Sequence, residues 1–158
     1  MARPARYAGS DPTAGQVRVL HVDDDAALRD LTADLLERVD EGMTVLSEAD
    51  PRAVPERLEA ETVDCLVTDK CMPRRDGLEL CREVREDHPD LPVVVFTSQR
   101  GEGVVERAMA AGATDYVPKA PGVDQYEILA DRIRRAVLER RRDRCEESET
   151  ATERHSTA

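Results

Sequence analysis

The chain has few aromatic side chains and no long apolar segment. It contains no Trp and a single Phe, and aromatics make up 3% of its 158 residues. A core built from Val, Leu, Ala and Ile suits buried parallel strands covered by helices better than an aromatic-rich β-sandwich. The lack of both a membrane-length apolar run and a signal-peptide hydrophobic region predicts a cytoplasmic protein with no membrane span.

Lysine is also scarce, because Lys70 and Lys119 are the only two and nearly all other positive charge is Arg. The net charge is −11, and 36% of the residues are charged. This composition resembles proteins of organisms that keep high internal salt, where dense carboxylates hold hydration and salt screens their repulsion. An ordinary acidic cytosolic protein is the alternative. Either way, the charge disfavours nonspecific binding to nucleic acid or to an anionic membrane.

The four cysteines form no C-x-x-C pair, and no His stands beside them at metal-ligand spacing. A zinc site is therefore not expected, and the thiols should be reduced. Cys65 and Cys81 fit small core positions.

The two ends of the chain differ in composition from the middle. Residues 1–16 predict a disordered leader, 17–144 one folded domain, and 145–158 a disordered acidic tail. In the middle, five predicted strands (17–22, 43–46, 63–68, 91–97 and 115–118) alternate with five helices. The helices comprise residues 26–39, a segment entered by Asp50 and Pro51, a segment ending near His88, 104–111, and 124–144. Helical crossovers between strands predict an α/β fold: a doubly wound, five-stranded parallel sheet flanked by five helices.

Chemically informative residues follow four of these strands. The strand ends deliver Asp23-Asp24-Asp25, Asp69, Thr97-Ser98 and Pro118-Lys119. Parallel strands bring their carboxyl ends to one edge of a sheet, so these groups should share one pocket. Crowded carboxylates favour a hard divalent cation, and a carboxylate assisted by Mg²⁺, a lysine and a hydroxyl can accept a phosphoryl group.

Four motifs in order carry a family resemblance: V-D-D-D, D-x-x-M-P-x-x-D-G, T-S and Y-x-x-K. Over about residues 17–142 the chain resembles a response-regulator receiver domain, of a type resembling those of salt-adapted archaea. The resemblance implies a flavodoxin-like fold with strand order 2-1-3-4-5. It also implies a stand-alone signalling phosphoacceptor, which catalyses only its own phosphorylation and dephosphorylation.

The family's roles fall on matching positions. The resemblance makes Asp69 the phosphoacceptor, and it implies that Lys119 pairs with the phosphoryl oxygens. It also implies that Thr97 hydrogen-bonds the phosphoryl group and that Tyr116 changes rotamer in response. The Mg²⁺ ligands that the resemblance implies are Asp23, Asp24, Asp69 and the backbone carbonyl of Cys71. Pro73 and Gly77 shape the loop, where backbone geometry must be fixed.

The implied partners are a sensor histidine kinase and a downstream protein that binds the last strand and its flanking helices, with a homodimer left open. The Arg-rich stretch 132–144 is either a solvated helix face or such a contact surface. One departure from the family is Ala120, which stands between Lys119 and Pro121, so the Lys119–Ala120 peptide bond is expected to be trans.

Two other functions compete with this interpretation. A phosphorylation-independent pseudo-receiver would lack part of the acidic pair, the acceptor or the lysine, and none is missing. A haloacid-dehalogenase-type phosphatase needs a second Asp two residues after its nucleophile, where this chain has Cys71. His21, in the middle of the first strand, predicts a hydrogen-bonded core residue.

Overall fold

The computed structural model describes residues 15–99 and 101–156, and of residues 102 and 146–156 it describes the backbone alone. The predicted leader lies outside the described residues apart from Gly15 and Gln16. The strands are β1 Val17–Val22, β2 Met43–Glu48, β3 Cys65–Thr68, β4 Val93–Thr97 and β5 Asp115–Pro118. The helices are α1 Ala26–Val39, α2 Val54–Ala60, α3 Gly77–Asp87, α4 Glu102–Ala110 and α5 Asp124–Ser156, and a short 3₁₀ turn, Pro51–Ala53, precedes α2.

All five strands run parallel in one sheet of order β2-β1-β3-β4-β5, which confirms the predicted topology. The order reverses between β1 and β3, because the chain first builds outward to β2 and then returns to the other side of β1. In doubly wound folds a binding crevice lies at such a switch point, outside the carboxyl ends of the strands.

Alternate residues of the strands bury into two separate cores, one on each face of the sheet. On one face, Leu20, Leu66 and Val95 pack against α2, α3 and α4. On the other, Val19 and Val67 pack against α1 and α5. Every residue of β4 is buried, as expected for its continuous apolar run. With only one Phe and small aliphatic strands, both cores match the composition of the chain.

The predicted ends of several elements shift by a few residues. β2 is two residues longer than predicted, and α4 begins two residues earlier. β3 begins at Cys65 instead of Val63, because the Asp64 carboxylate accepts from the Arg18 N–H at 2.8 Å where the strand ladder would start. β4 begins at Val93, directly after Pro92, which has no N–H to donate.

The last helix is longer than the sequence pattern predicts. α5 continues to Ser156, whereas the pattern predicts an end near residue 144 and a disordered tail after it. Residues 124–156 contain no Gly or Pro and are rich in Glu and Arg, so no stop signal ends the helix. No helix in the described part of the chain is both long enough and apolar enough to cross a membrane.

Several arginines of α5 bind the chain itself, which neither interpretation of the Arg-rich stretch foresaw. Arg134 donates to both carboxylate oxygens of Asp40, at 2.6 and 2.8 Å, and to the Gly15 carbonyl oxygen at 2.9 Å. Arg132 forms a similar two-oxygen contact with Asp115, at 2.9 and 3.1 Å. Contacts to both oxygens of a carboxylate fix geometry as well as charge, so they fasten α5 to the end of α1 and to β5.

Candidate functional site

Backbone pairing brings the ends of β1, β3, β4 and β5 to one edge of the sheet. The Asp69 N–H donates to the Val22 carbonyl oxygen at 3.4 Å, and the Lys119 N–H donates to the Thr97 carbonyl oxygen at 2.8 Å. These bonds extend the strand ladders by one residue into the loops. The side chains at this edge are therefore positioned by the sheet and not by loop conformation alone.

Lys119 joins two of the predicted carboxylates. Its Nζ lies 2.9 Å from Asp69 Oδ2 and 3.1 Å from Asp23 Oδ2, and the side chains of Lys119 and Asp69 are only 13% and 15% exposed. The ammonium also lies over the Phe96 ring, 5.4 Å from its centroid. Burial alone would lower the pKa of Lys119, but the hydrogen bond and charge of Asp69, with help from Asp23, outweigh burial and raise it. Lys119 is therefore a fixed cation in this pocket.

Asp23 is buried and held from several directions. Its Oδ1 accepts from the Asp25 N–H at 2.9 Å, and its carbonyl oxygen accepts from Arg29 Nη1 at 2.7 Å. Asp25 caps α1 by accepting from the Leu28 N–H at 3.1 Å. Of the three consecutive aspartates, Asp23 therefore belongs to the pocket and Asp25 to the helix cap. The contact from Arg29 was not predicted, because nothing in the sequence ties a residue of α1 to this carbonyl.

Asp24 is exposed, in contrast to the buried Asp23 that precedes it. It lines an open cavity of about 490 Å³ together with Cys71, Met72, Pro73 and Asp76. Asp24 and Cys71 thus line the same open cavity. Asp23, Asp69 and Lys119 are held together by the contacts of the lysine described above.

The loop after Asp69 is packed tightly against the start of α3. The Cys71 N–H donates to Asp69 Oδ1 at 3.3 Å, and the Gly77 N–H donates to the Lys70 carbonyl oxygen at 2.7 Å. A Cβ on Gly77 would lie 1.9 Å from the Asp69 carbonyl oxygen, so only glycine fits there. Asp76 caps α3 through the Leu78 N–H at 2.7 Å. The acceptor loop is therefore held at both of its ends.

Thr97 and Tyr116 converge on the same residue of the β4–α4 connection. The buried Thr97 accepts from the Gln99 N–H through its Oγ1 at 3.3 Å, and the Tyr116 hydroxyl donates to the Gln99 carbonyl oxygen. Thr97 ends the strand adjacent to β3, which Asp69 follows. The predicted switch pair is thus connected through one backbone segment.

The oxygen donors at this edge suit a hard divalent cation that keeps some of its waters. In the part of the chain that the structure describes, no group of three or more His, Cys, Asp or Glu side chains lies at metal-binding spacing. Mg²⁺ does not require such a cage, because it is commonly bound by one or two carboxylates with water and phosphate oxygens. The carboxylates of Asp23, Asp24 and Asp69 and the Cys71 carbonyl supply oxygen atoms only, which matches this preference.

His21 departs from its predicted state. It is buried, at 1% exposure, but neither ring nitrogen has a hydrogen-bond partner among the described residues. Burial lowers its pKa to about 4, against the opposing charge of Asp23. His21 therefore lies neutral beneath the acidic pocket. The Lys119–Ala120 bond is trans as predicted, since the structure has no cis peptide bond in its described residues.

A doubly wound α/β domain with carboxylates and a lysine at its switch point is the class that the fold and site define. The model of the response regulator receiver domain matches residues 19–131. The chain belongs to this family.

Individual relatives agree with that assignment. The response regulator MprA of Mycobacterium ulcerans is 40% identical over 137 residues, covering 85% of this chain and 55% of that protein. A protein-glutamate methylesterase/protein-glutamine glutaminase of Rhodopseudomonas palustris is 36% identical over 127 residues, covering 77% of this chain and 34% of that protein. The chain thus spans between about one third and about half of these curated relatives.

The solved structures match the same part of the chain. A CheY-like response regulator receiver domain protein from Methanospirillum hungatei superimposes with a TM-score of 0.71 and 25% identity, covering 81% of this chain and 98% of the other. The near-complete coverage of that smaller chain shows that the matched region is a whole receiver fold.

Proposed function

We propose that this receiver domain is a phosphorylation switch in which Asp69 accepts a phosphoryl group from the phosphohistidine of a sensor histidine kinase. The observation that carries the proposal is the placement of Lys119 Nζ, 2.9 Å from Asp69 and 3.1 Å from Asp23. One fixed cation thereby touches the acceptor and a neighbouring carboxylate at the edge of the sheet where a ligand can enter.

Transfer breaks the phosphorus–nitrogen bond of the phosphohistidine and forms a phosphorus–oxygen bond to an Asp69 carboxylate oxygen. The imidazole leaves and takes up a proton. Lys119 moves its hydrogen bond from Asp69 to the incoming phosphoryl oxygens and stabilises their charge. The loop pinned by Gly77 keeps the carboxylate in position during the exchange.

Asp23, Asp24, Asp69 and the carbonyl of Cys71 are the groups that would hold Mg²⁺. When bound, the ion neutralises repulsion between the phosphoryl oxygens and the carboxylate nucleophile. Two of these residues, Asp24 and Cys71, line the open cavity through which the ion would enter.

The switch passes from Asp69 to the surface around β5. A phosphoryl group that draws in the Thr97 hydroxyl competes with its bond from Gln99, which also holds the Tyr116 hydroxyl. A downstream partner could bind exposed apolar side chains of the helices that flank β5. These are Val105 and Met109 of α4, Val123 just before α5, and Ile128 of α5. Phosphorylation therefore changes which partner this surface prefers.

The free cysteines bear on the cellular location. We place the protein in the cytoplasm, where the four free cysteines stay reduced.

The acidic surface of the protein makes its folding salt-dependent, which an unfolding curve at rising KCl measures. Full stability at low KCl contradicts this salt adaptation and leaves the phosphoacceptor proposal untouched.

Intact mass measured with and without acetyl phosphate and Mg²⁺, in high KCl, tests the proposal. The wild type should gain one phosphoryl mass only when both are present, Asp69→Asn should gain none, and the exposed Asp30→Asn should behave as the wild type. A gain that survives in Asp69→Asn contradicts the assignment of the acceptor. No gain from acetyl phosphate or from phosphorylated histidine kinases contradicts the switch itself.

A further inference from the structure

The lysine of the pocket lies in the short connection between the last strand and the last helix. β5 ends at Pro118 and α5 begins at Asp124, so Lys119 lies just outside the sheet. Gly122, in the same connection, has a φ of 93°, a left-handed conformation that favours glycine. The position of Lys119 therefore depends on how this turn is held as well as on the sheet.

The side chain of Gln125, in the first turn of α5, spans this connection. Its Oε1 accepts from the Ala120 N–H at 2.9 Å, and its Nε2 donates to the Gly122 carbonyl oxygen at 2.9 Å. The acceptor and the donor of the amide are thus both used. The Ala120 N–H belongs to the planar peptide unit that joins Lys119 to Ala120, so Gln125 holds the unit that directly follows the lysine.

These two bonds serve the connection and not the helix. Both partners of Gln125 precede α5, which begins at Asp124. On the other side of the lysine, the Lys119 N–H donates to the Thr97 carbonyl oxygen at 2.8 Å. The backbone of Lys119 is therefore hydrogen-bonded both before and after its Cα, which limits where its side chain can reach.

The residue after Gln125 supports the other end of the lysine. Tyr126 is buried, and its ring packs edge-to-face on Phe96 with the ring centroids 5.9 Å apart. The Lys119 ammonium lies 5.4 Å from the centroid of the same Phe96 ring, where cation–π attraction favours it. The first turn of α5 is thus linked to both the backbone and the ammonium of Lys119.

We propose that Gln125 is a positioning residue for Lys119. By fixing the peptide unit after the lysine, it keeps the ammonium 2.9 Å from Asp69, where it meets the incoming phosphoryl oxygens. This role rests on the proposed function, because the reaction that Gln125 assists is phosphoryl transfer to Asp69.

The rate of phosphoryl gain from acetyl phosphate and Mg²⁺, followed by intact mass, measures the effect on the reaction. Gln125→Ala should react about tenfold more slowly than the wild type, because a misplacement of about 1 Å in a reacting group costs up to about 100-fold. Glu127→Ala, exposed on the same turn of α5, should match the wild type. An unchanged rate in Gln125→Ala overturns the proposal.

A second measurement separates positioning from a general loss of structure. Because Lys70 and Lys119 are the only lysines, an NMR spectrum of the chain with ¹³C-labelled lysine contains two Cε signals, which Lys70→Met and Lys119→Met assign. We expect Gln125→Ala to move the Lys119 signal and not that of Lys70, and Glu127→Ala to move neither. A slower reaction with an unmoved Lys119 signal overturns the proposal.

Ala120→Pro isolates the hydrogen bond itself, because proline has no N–H to donate to Gln125. In that background, Gln125→Ala should slow the reaction much less than it does in the wild type. Equal slowing in both backgrounds overturns the proposal. If Ala120→Pro does not fold, the Lys119 signal decides. A wild type that gains no phosphoryl group contradicts the proposed switch, and the Lys119 signal of Gln125→Ala then still tests the positioning.

Discussion

The two ends of the sheet use charge in opposite ways. At the carboxyl end, carboxylates gather around one lysine, and the groups that meet stand directly after strands. At the amino end, arginines from helices meet backbone carbonyls, and the strands contribute mainly apolar or backbone surface. The first arrangement keeps reactive oxygens accessible, while the second ties loops and helices together. Four predictions separate reactivity at one end from structural stabilisation at the other.

The largest expected effect is that of Lys119→Met. Removing the cation leaves Asp23 and Asp69 facing each other at low exposure, so unfolding should become easier by about 3 kcal/mol. Phosphoryl gain from acetyl phosphate should slow at least ~100-fold because the phosphoryl charge loses its partner. Mass spectrometry over time and urea unfolding measure the two effects.

Lys70→Met is the matched control for that variant. The Lys70 side chain is equally buried, and its Nζ lies 3.7 Å from Asp76 Oδ2. Its loss should slow the phosphoryl gain by less than about tenfold, because it forms a single weak ion pair. Equal slowing in both variants would show that the two lysines share the role assigned to Lys119.

Gly77→Ala should destabilise the carboxyl end by about 3 kcal/mol, because the new Cβ must push the Asp69 backbone away. Gly103→Ala in α4, where the nearest atom is an Arg107 guanidinium nitrogen at 3.6 Å, should instead stabilise by about 0.5 to 1 kcal/mol. Urea unfolding compares them. A Gly77→Ala protein as stable as the wild type would show that the acceptor loop is not held as tightly as its contacts indicate.

We expect His21 to contribute to the pH dependence of the free energy of unfolding. Its pKa is lowered from 6.5 to about 4 in the folded chain, mainly by burial. Between these values the unfolded chain binds a proton that the folded chain does not, so stability falls as pH falls through this window, by at most about 3 kcal/mol.

The difference in unfolding free energy between the wild type and His21→Leu isolates this contribution. The His21→Leu protein should lose less unfolding free energy than the wild type between pH 7 and pH 5. The His88→Gln protein, changed at a half-exposed histidine, should lose as much as the wild type. Parallel pH profiles for the wild type and His21→Leu would show that other groups dominate this range.

The smallest effect is expected at the amino end. Arg85→Leu removes a donor from four carbonyl oxygens, those of His88, Pro89, Leu91 and Gly112. The His88 oxygen still accepts from the Leu91 N–H. Because the site is half-buried and water can replace part of the bonding, the cost should be about 2 kcal/mol. Arg82→Leu, exposed on the same helix, should change stability by no more than about 0.5 kcal/mol. Thermal or urea unfolding measures the stability of both variants. Equal losses of stability would show that the carbonyl contacts of Arg85 do not stabilise the fold.

The strand-end residues could be predicted because topology places them. Once strands alternate with helices, the residues after β1, β3 and β5 must share one edge, so Asp23, Asp69 and Lys119 lie in the same region of the molecule. The roles of those residues in phosphoryl transfer remain predictions. Thr97 and Tyr116 also lie where the pattern puts them, but their common contact with Gln99 depends on the path of a loop.

Other features had no local sequence pattern. Whether His21 has a hydrogen-bond partner depends on which side chains surround it in the fold. The sequence around a histidine in an apolar strand is the same in either case. The continuation of α5 to Ser156 was missed because polarity was interpreted as disorder, although the segment contains no residue that stops a helix.

The sequence by itself determined the order of elements, the parallel sheet, the two apolar faces and the acidic edge, because these depend on periodicity and on the positions of residues just after strands. Only the tertiary structure decided which charges touch. The pairing of Arg134 with Asp40 and the approach of Gly77 to the Asp69 backbone are examples. The reason is physical: strand pairing repeats regularly along the chain, so a sequence pattern can reveal it. A side-chain contact between distant segments depends instead on distances set by the packing of the whole domain.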